Sequence, residues 1–166
     1  MSKEDGLIRM EVKGLMLDPS NQSPIIILRG ENKDEFLPIW IGVFEAHAIA
    51  MRLEGAKPQR PMTHDLIANL IDQLDVVVES IVVSNLEEST FFAQLNLRID
   101  DRTMTVDSRP SDAIAIALRT DAPIFVSIDV FEKAKMADNA ERARDEERLK
   151  KWLEEVDPDD LGKYTM

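Results

Sequence analysis

The sequence predicts an α+β fold in which a mainly antiparallel sheet is built from two copies of one strand–strand–strand–helix unit. The first observation is an internal repeat. Residues 45–52 resemble residues 112–119, with five of the eight positions identical at an offset of 67. The second is that three strand-like runs precede each copy. The third is a length of 166 residues with 44% hydrophobic residues, which suits one well-buried core.

The strands follow from runs of β-branched and aromatic residues that are bounded by Asp, Asn, Gly, Pro and Ser. In the first unit the runs are residues 10–17, 23–29 and 35–41, and in the second they are 76–84, 90–99 and 103–106. The two units would then span residues 10–55 and 76–122. The alternative interpretation is two ordinary meanders, each leading into a helix.

The helices follow from apolar spacing and from end signals. The first copy has apolar residues at i, i+3, i+4 and i+7 spacing: Ala46, Ile49, Ala50 and Leu53. Gly55 is placed to end this helix, and Ser111 is the predicted N-cap of the equivalent helix in the second copy. Both helices present small residues, which indicates close packing against a sheet.

Three further elements complete the prediction. Thr63 is placed to cap a helix between the units, and Pro123 precedes a last strand over residues 124–128. Residues 132–155 predict a charged helix with few apolar positions, which is typical of a solvated surface or a docking arm. We therefore expect one domain over residues 1–135 and a charged helical extension with a short tail over residues 136–166.

Composition excludes several classes of protein. The net charge of −12, from 32 acidic and 20 basic residues, disfavours a protein that coats nucleic acid through a basic surface. The absence of cysteine excludes disulfides and cysteine-ligated zinc. No apolar run reaches the roughly 18 residues of a membrane span, and no signal peptide follows the first charges. We therefore expect a cytoplasmic location.

Polar residues cluster beside the predicted helix starts. His64 and Asp65 lie in the first turn of the middle helix, shortly after Arg60, where an acidic residue is favoured by the helix dipole alone. A neutral histidine there would be available as a base or ligand, although a lone histidine is more often structural.

A second cluster, Asp107-Ser-Arg-Pro-Ser-Asp112, contains two carboxylates and the guanidinium of Arg109. Its oxygens suit a hard cation such as magnesium or manganese, and the arginine suits a phosphate oxygen. The alternative is a structural pair between Arg109 and Asp107 beside a dipole-stabilising Asp112. The repeat places Glu45 at the position of Asp112, so the two equivalent helix starts could face one crevice.

Four motifs in this order, LPIWIGVFEAHAIAMRLEG, RPMTHDL, VDSRPSDAIAIALR and PIFV, resemble the bifunctional nuclease family of bacteria and plants over about residues 8–135. The ending DPDDLGKYTM also resembles the tail of some bacterial members. The resemblance implies an α+β fold, self-association into at least a dimer, and hydrolysis of both DNA and RNA. The family's motif positions in this chain are Glu45, Arg60, His64, Asp65, Asp107, Arg109, Ser111, Asp112 and Arg119.

Two functions are compatible with these residues. The first is a metal-assisted nuclease, with nucleic acid as substrate and a divalent ion, magnesium or manganese, as cofactor. Its predicted catalytic residues are His64, Asp65, Asp107, Asp112 and Glu45; its metal ligands are Asp107, Asp112 and Glu45; its substrate-binding residues are Arg60, Arg109, Ser111 and Arg119. The alternative is a non-catalytic homo-oligomeric module that binds a small anion or a protein partner.

Overall fold

A computed structural model describes residues 6–32 and 34–155 of the chain. These residues form seven strands: β1 (Leu7–Leu17), β2 (Pro24–Gly30), β3 (Phe36–Trp40), β4 (Val76–Glu87), β5 (Thr90–Ile99), β6 (Arg102–Ser108) and β7 (Ile124–Ser127). They also form four helices: α1 (Val43–Leu53), α2 (Thr63–Gln73), α3 (Pro110–Thr120) and α4 (Ile128–Glu155). The predicted α+β class is confirmed.

The strands form one sheet in the order β3-β2-β1-β7-β4-β5-β6. All neighbours are antiparallel except β4 and β7, so the sheet is mainly antiparallel, as predicted. Because β7 is antiparallel to β1 and parallel to β4, the strands β1 and β4 run in opposite directions. Outward from β7, the strands of the first unit follow in the order β1, β2, β3, and those of the second unit follow in the order β4, β5, β6. A twofold axis normal to the sheet would produce this arrangement. Superposition of the two units stays a prediction.

Helices α1, α2 and α3 lie in one layer on the sheet. Helix α1 packs against β2 and α3, while α3 packs against β4, β5 and α2. Ala113, Ala115 and Ala117 of α3 are almost completely buried, because their small side chains let the helix approach the sheet and α1 closely. Strand residues such as Ile81 and Val126 are also fully buried. The predicted small-residue faces are therefore core.

The helix ends differ in part from the prediction. Gly55 follows the C-cap of α1 with a φ of +68°, a left-handed conformation that glycine adopts without strain, so the predicted stop is confirmed. The predicted caps at Ser111 and Thr63 are wrong. Helix α3 begins earlier, at Pro110 with Arg109 as N-cap, because proline's fixed φ suits a first helical residue. Thr63 is already helical, and Met62 precedes it as N-cap.

Contacts between residues divide the chain into two units, Met1–Phe131 and Glu132–Met166. The second unit contains most of α4, whose described side chains are largely exposed and charged. This helix begins at Ile128, four residues before the predicted start. The predicted tail lies outside the described residues. Among the helices described, none has the length and apolar composition needed to cross a membrane.

Candidate active site at three helix starts

The starts of α1, α2 and α3 meet in one polar cluster, which we call the helix-start cluster: Glu45, His64, Arg109 and Asp112. Glu45 and Asp112 are each the third residue of a helix that follows directly on a strand, β3 for α1 and β6 for α3. These two positions are equivalent in the repeat. His64 is the second residue of α2, which lies against α3. The fold therefore joins residues that are 48 and 64 positions apart in sequence.

Arg109 connects the two equivalent carboxylates. Its Nη2 lies 2.8 Å from Glu45 Oε1 and 2.8 Å from Asp112 Oδ2, and its Nε donates to the same Asp112 oxygen at 2.8 Å. The arginine side chain is 65% exposed, whereas those of Glu45 and Asp112 are 15% and 27% exposed. Hydrogen bonds to Asp112 and then to Glu45 raise the pKa of Arg109. A guanidinium thus covers two half-buried carboxylates at the protein surface.

His64 approaches Asp112 from the other side, with 2.8 Å between Nε2 and Oδ1. Burial raises the pKa of Asp112, but hydrogen bonds from His64 and Arg109 outweigh it and hold that pKa below its ordinary value. An ionised carboxylate can only accept hydrogen bonds, so His64 Nε2 must carry the proton. In the neutral ring Nδ1 is then unprotonated and can accept a proton.

Gly42 leaves room for the Glu45 carboxylate at the start of α1. Gly42 is the N-cap, and a Cβ atom built on it would collide with the Glu45 carboxylate. A side chain at position 42 would therefore require the Glu45 carboxylate to shift from its observed position. Position 42 was not among the predicted site residues, although the strand-to-helix junction at this point was visible in the sequence.

A second ion pair lies behind the cluster. Arg119 Nε donates to Asp65 Oδ1 at 2.6 Å, and Asp65 Oδ2 accepts the Met62 N–H at 3.0 Å. The other two Arg119 nitrogens donate to the backbone oxygens of Ala115 and Ala48. Because this side chain is only 6% exposed and each of its nitrogens is engaged, the arrangement favours a structural role over the predicted substrate-binding role.

Arg52 is a further residue in the contact between α1 and α3, and the site prediction omitted it. It occupies the position equivalent to Arg119 in the repeat, and its Nε donates to the Leu118 backbone oxygen at 3.2 Å. The arginines of α1 and α3 therefore each donate to a carbonyl of the other helix. The repeat alignment carried the signal for Arg52, since it pairs the two arginines at the helix ends.

The remaining predicted residues lie apart from the cluster or are buried. Asp107 pairs in register with Gln94, between the buried Ala93 and Leu95, so its side chain points to the sheet face opposite the helices. Ser111 is 5% exposed in the first turn of α3. Arg60 is exposed before α2 and makes no hydrogen bond or ion pair with the residues described.

The predicted metal ligands do not assemble. Asp107 lies on the other sheet face, and Glu45 and Asp112 are already held by Arg109. Among residues 6–32 and 34–155, no three His, Cys, Asp or Glu side chains are arranged to hold a metal ion. In this arrangement the donor set does not fit an ion bound by all three carboxylates, so we route no chemical step through one. Binding of a divalent ion stays a prediction.

The Asp65–Arg119 pair predicts a pH dependence of stability. Burial raises the pKa of Asp65, but the bond from Arg119 and the Met62 N–H hold it below its ordinary value of 3.8. A lowered folded-state pKa gives stability that is present above 3.8 and is lost as the pH falls through the folded-state pKa. Asp65→Asn should therefore lower the urea midpoint at pH 7, and its difference from wild type should shrink below about pH 4.

The measurement is the urea midpoint of both proteins from pH 7 to pH 3, followed by circular dichroism. Asp72→Asn, at an exposed position of the same helix, is the matched control and should leave the midpoint almost unchanged throughout. A difference between wild type and Asp65→Asn that stays constant down to pH 3 would contradict the assigned pair.

Comparison with known proteins places this site within a family. A model of the bifunctional nuclease domain matches residues 26–139, which include the whole helix-start cluster. An uncharacterised protein of Mycobacterium tuberculosis is 40% identical over 161 residues, which are 92% of this chain and 96% of that protein. Bifunctional nuclease 2 of Oryza sativa subsp. japonica is 30% identical over 118 residues, or 69% of this chain and 36% of that protein. Bifunctional nuclease 2 of Arabidopsis thaliana is 26% identical over 108 residues, or 63% of this chain and 33% of that protein. The chain belongs to the bifunctional nuclease domain family.

Proposed function

We propose that this chain is a nuclease that hydrolyses phosphodiester bonds of DNA and RNA at the helix-start cluster. The observation that carries the proposal is the His64–Asp112 pair beside the exposed guanidinium of Arg109. Such a pair supplies a proton acceptor of fixed orientation next to an anion-binding group. Membership of the family and the names of the plant relatives support the same activity.

The proposed reaction is an in-line displacement at phosphorus. A water oxygen forms a bond to phosphorus while His64 Nδ1 takes its proton, and the bond to the leaving oxygen breaks. Solvent water protonates the leaving oxygen, and the imidazolium releases its proton to solvent. Asp112 holds the ring in the required tautomer and stabilises the imidazolium, as the carboxylate of a catalytic triad does. Arg109 stabilises the charge that develops on the phosphoryl oxygens.

Arg109 can bind a phosphoryl oxygen only through N–H groups that do not already donate to Glu45 or Asp112. Its Nη1 makes no hydrogen bond within the described residues, and the side chain is 65% exposed. With His64 neutral, the cluster carries two negative charges and one positive, and the chain carries −12. The net negative charge of the cluster and that of the whole chain both repel a polyanion at low ionic strength. Assays should therefore contain about 0.15 M salt, where the Debye length falls to about 8 Å.

Dependence on magnesium or manganese is part of the proposal. Hydrolysis should be measured with each ion and with a chelator, and the melting midpoint of the protein should be measured under the same conditions. An ion that binds the native chain raises that midpoint. Because Glu45 and Asp112 are held by Arg109, such an ion would have to displace the guanidinium or bind elsewhere.

The alternative of a non-catalytic binding module has one observation in its favour. The helix-start cluster is a network of close ion pairs between three helices, and such a network holds helices together without any catalytic role. Activity that disappears on further purification of the wild type would favour this alternative. We also propose that the chain self-associates into at least a dimer, on the basis of the family.

Loss of His64 should slow hydrolysis by roughly a hundredfold, which is the contribution expected of one positioned proton-transfer group. The matched control is His47→Ala, because the chain has two histidines and His47 is exposed on α1. Turnover of single-stranded RNA and DNA oligonucleotides by His64→Ala, His47→Ala and wild type is the measurement. Equal rates for the two variants would reject His64 as the proton acceptor.

A further inference from the structure

The two edges of the sheet differ in how well they are protected against pairing with another strand. Edge strand β3 has Pro38 at its centre, and proline cannot donate a hydrogen bond to a neighbouring strand. Edge strand β6 has no proline and pairs with β5 over seven residues without a bulge, and its two charged residues, Arg102 and Asp107, lie near its ends. Proteins usually blunt exposed edges with such devices. Among the described strands none pairs with the outer edge of β6, so residues 103–106 are open to pairing with another strand.

Two apolar side chains of β6 are unusually exposed for residues on the helix-covered face of the sheet. Met104 and Val106 lie on the helix-covered face, in register with Leu97 and Leu95 of β5. Leu95 is 7% exposed, whereas Met104 and Val106 are 49% and 41% exposed. An added strand would cover these two apolar side chains from the side of the free edge.

We propose that β6 pairs with β6 of a second copy of this chain, antiparallel and centred on Thr105. A twofold axis normal to the sheet keeps the helix layers of both copies on one side, so only residues on the same face can lie opposite each other. Centred on Thr105, the register sets Met104 opposite Val106 of the second copy on the helix side. On the other side it sets Thr103 opposite Asp107.

This register is self-complementary. It joins two apolar pairs, and it gives each Asp107 carboxylate a threonine hydroxyl as hydrogen-bond donor. Shifting the centre to Met104 would instead place Asp101 of one copy opposite Asp107 of the other, and like charges in that position repel. Pairing of both apolar side chains then selects Thr105, because a centre at Thr103 or Val106 would set Met104 opposite Arg102 or Ser108. This pairing gives a surface to the self-association proposed above and does not depend on nuclease activity.

The natural absence of cysteine makes cross-linking a clean test. Directly opposite residues of antiparallel strands have Cα atoms about 4.5–5.5 Å apart, which is within disulfide range. Thr105→Cys should therefore form a covalent dimer readily. Thr103→Cys is the matched control, because the substituted positions of the two copies would lie about 14 Å apart along the strands. The double variant Thr103→Cys/Asp107→Cys should regain cross-linking, since it restores directly opposite cysteines.

The full chain would be oxidised mildly with copper phenanthroline and the covalent dimer measured on non-reducing gels, beside light scattering of the wild type. We expect a wild-type dimer or larger assembly, and cross-linking of Thr105→Cys and of the double variant roughly tenfold faster than that of Thr103→Cys. A monomeric wild type, or equal cross-linking of the two single variants, would overturn the pairing. The cross-linking test does not measure nuclease activity, so either proposal can be contradicted without the other.

Discussion

Asp112→Asn should lower the rate of phosphodiester hydrolysis by roughly a thousandfold, because it combines the roughly hundredfold loss of proton transfer by His64 with a roughly tenfold loss from the displaced Arg109. The amide keeps the size of the carboxylate but can donate as well as accept, so it no longer fixes the proton on Nε2 of His64. It also removes the charge that stabilises the imidazolium and one of the two carboxylates that hold Arg109. Turnover of single-stranded RNA and DNA measures the effect.

Folding must be measured beside activity for this variant. Asp112 is 27% exposed, and its loss should cost about 1 kcal/mol, as for an ordinary hydrogen bond. The control is Asp72→Asn, which removes the same charge from an exposed position. If Asp112→Asn were folded and retained more than about a third of wild-type turnover, a difference below about 1 kcal/mol in barrier, the cluster would not be the catalytic site.

Arg119→Met should produce the largest loss of stability among the polar substitutions considered. Methionine keeps the approximate length of the side chain, but it leaves the Asp65 carboxylate without its partner and removes the donors to the Ala48 and Ala115 oxygens. Breaking a buried pair by removing one partner typically costs about 3 kcal/mol or more. For a chain of this size that loss lowers the melting midpoint by about 10 °C.

Two further variants test whether the loss of stability comes from breaking the buried ion pair. Arg142→Met removes an arginine from an exposed i,i+4 pair with Asp138 on α4, so it should cost about 0.5 kcal/mol or less. The double variant Arg119→Met/Asp65→Asn should be more stable than Arg119→Met alone, because it removes the unpaired charge. Calorimetry checks both. An Arg119→Met protein of wild-type stability but without nuclease activity would restore the substrate-binding role predicted from sequence.

Local pattern in the sequence was enough to predict most elements of the fold. Strand β5 was predicted at its observed bounds, because β-branched and aromatic residues between turn signals favour extended backbone. Gly55 was predicted as a helix stop because few other residues adopt a positive φ without strain. The repeat alignment also identified Glu45 and Asp112 as equivalent, and the two carboxylates meet at one guanidinium.

The tertiary structure decided which of the predicted residues lie together in the site. Asp107 and Asp112 are five positions apart, yet the alternation of side chains along β6 turns Asp107 to the other sheet face, while α3 carries Asp112 into the helix layer. Arg119 was predicted to bind substrate from its motif position, but packing of α2 against α3 buried it beside Asp65. Composition and spacing alone therefore determined which strands and helices form and which residues carry charge. Which charges meet depends on long-range packing, because contacts across 48 or 64 residues leave no local pattern in the chain.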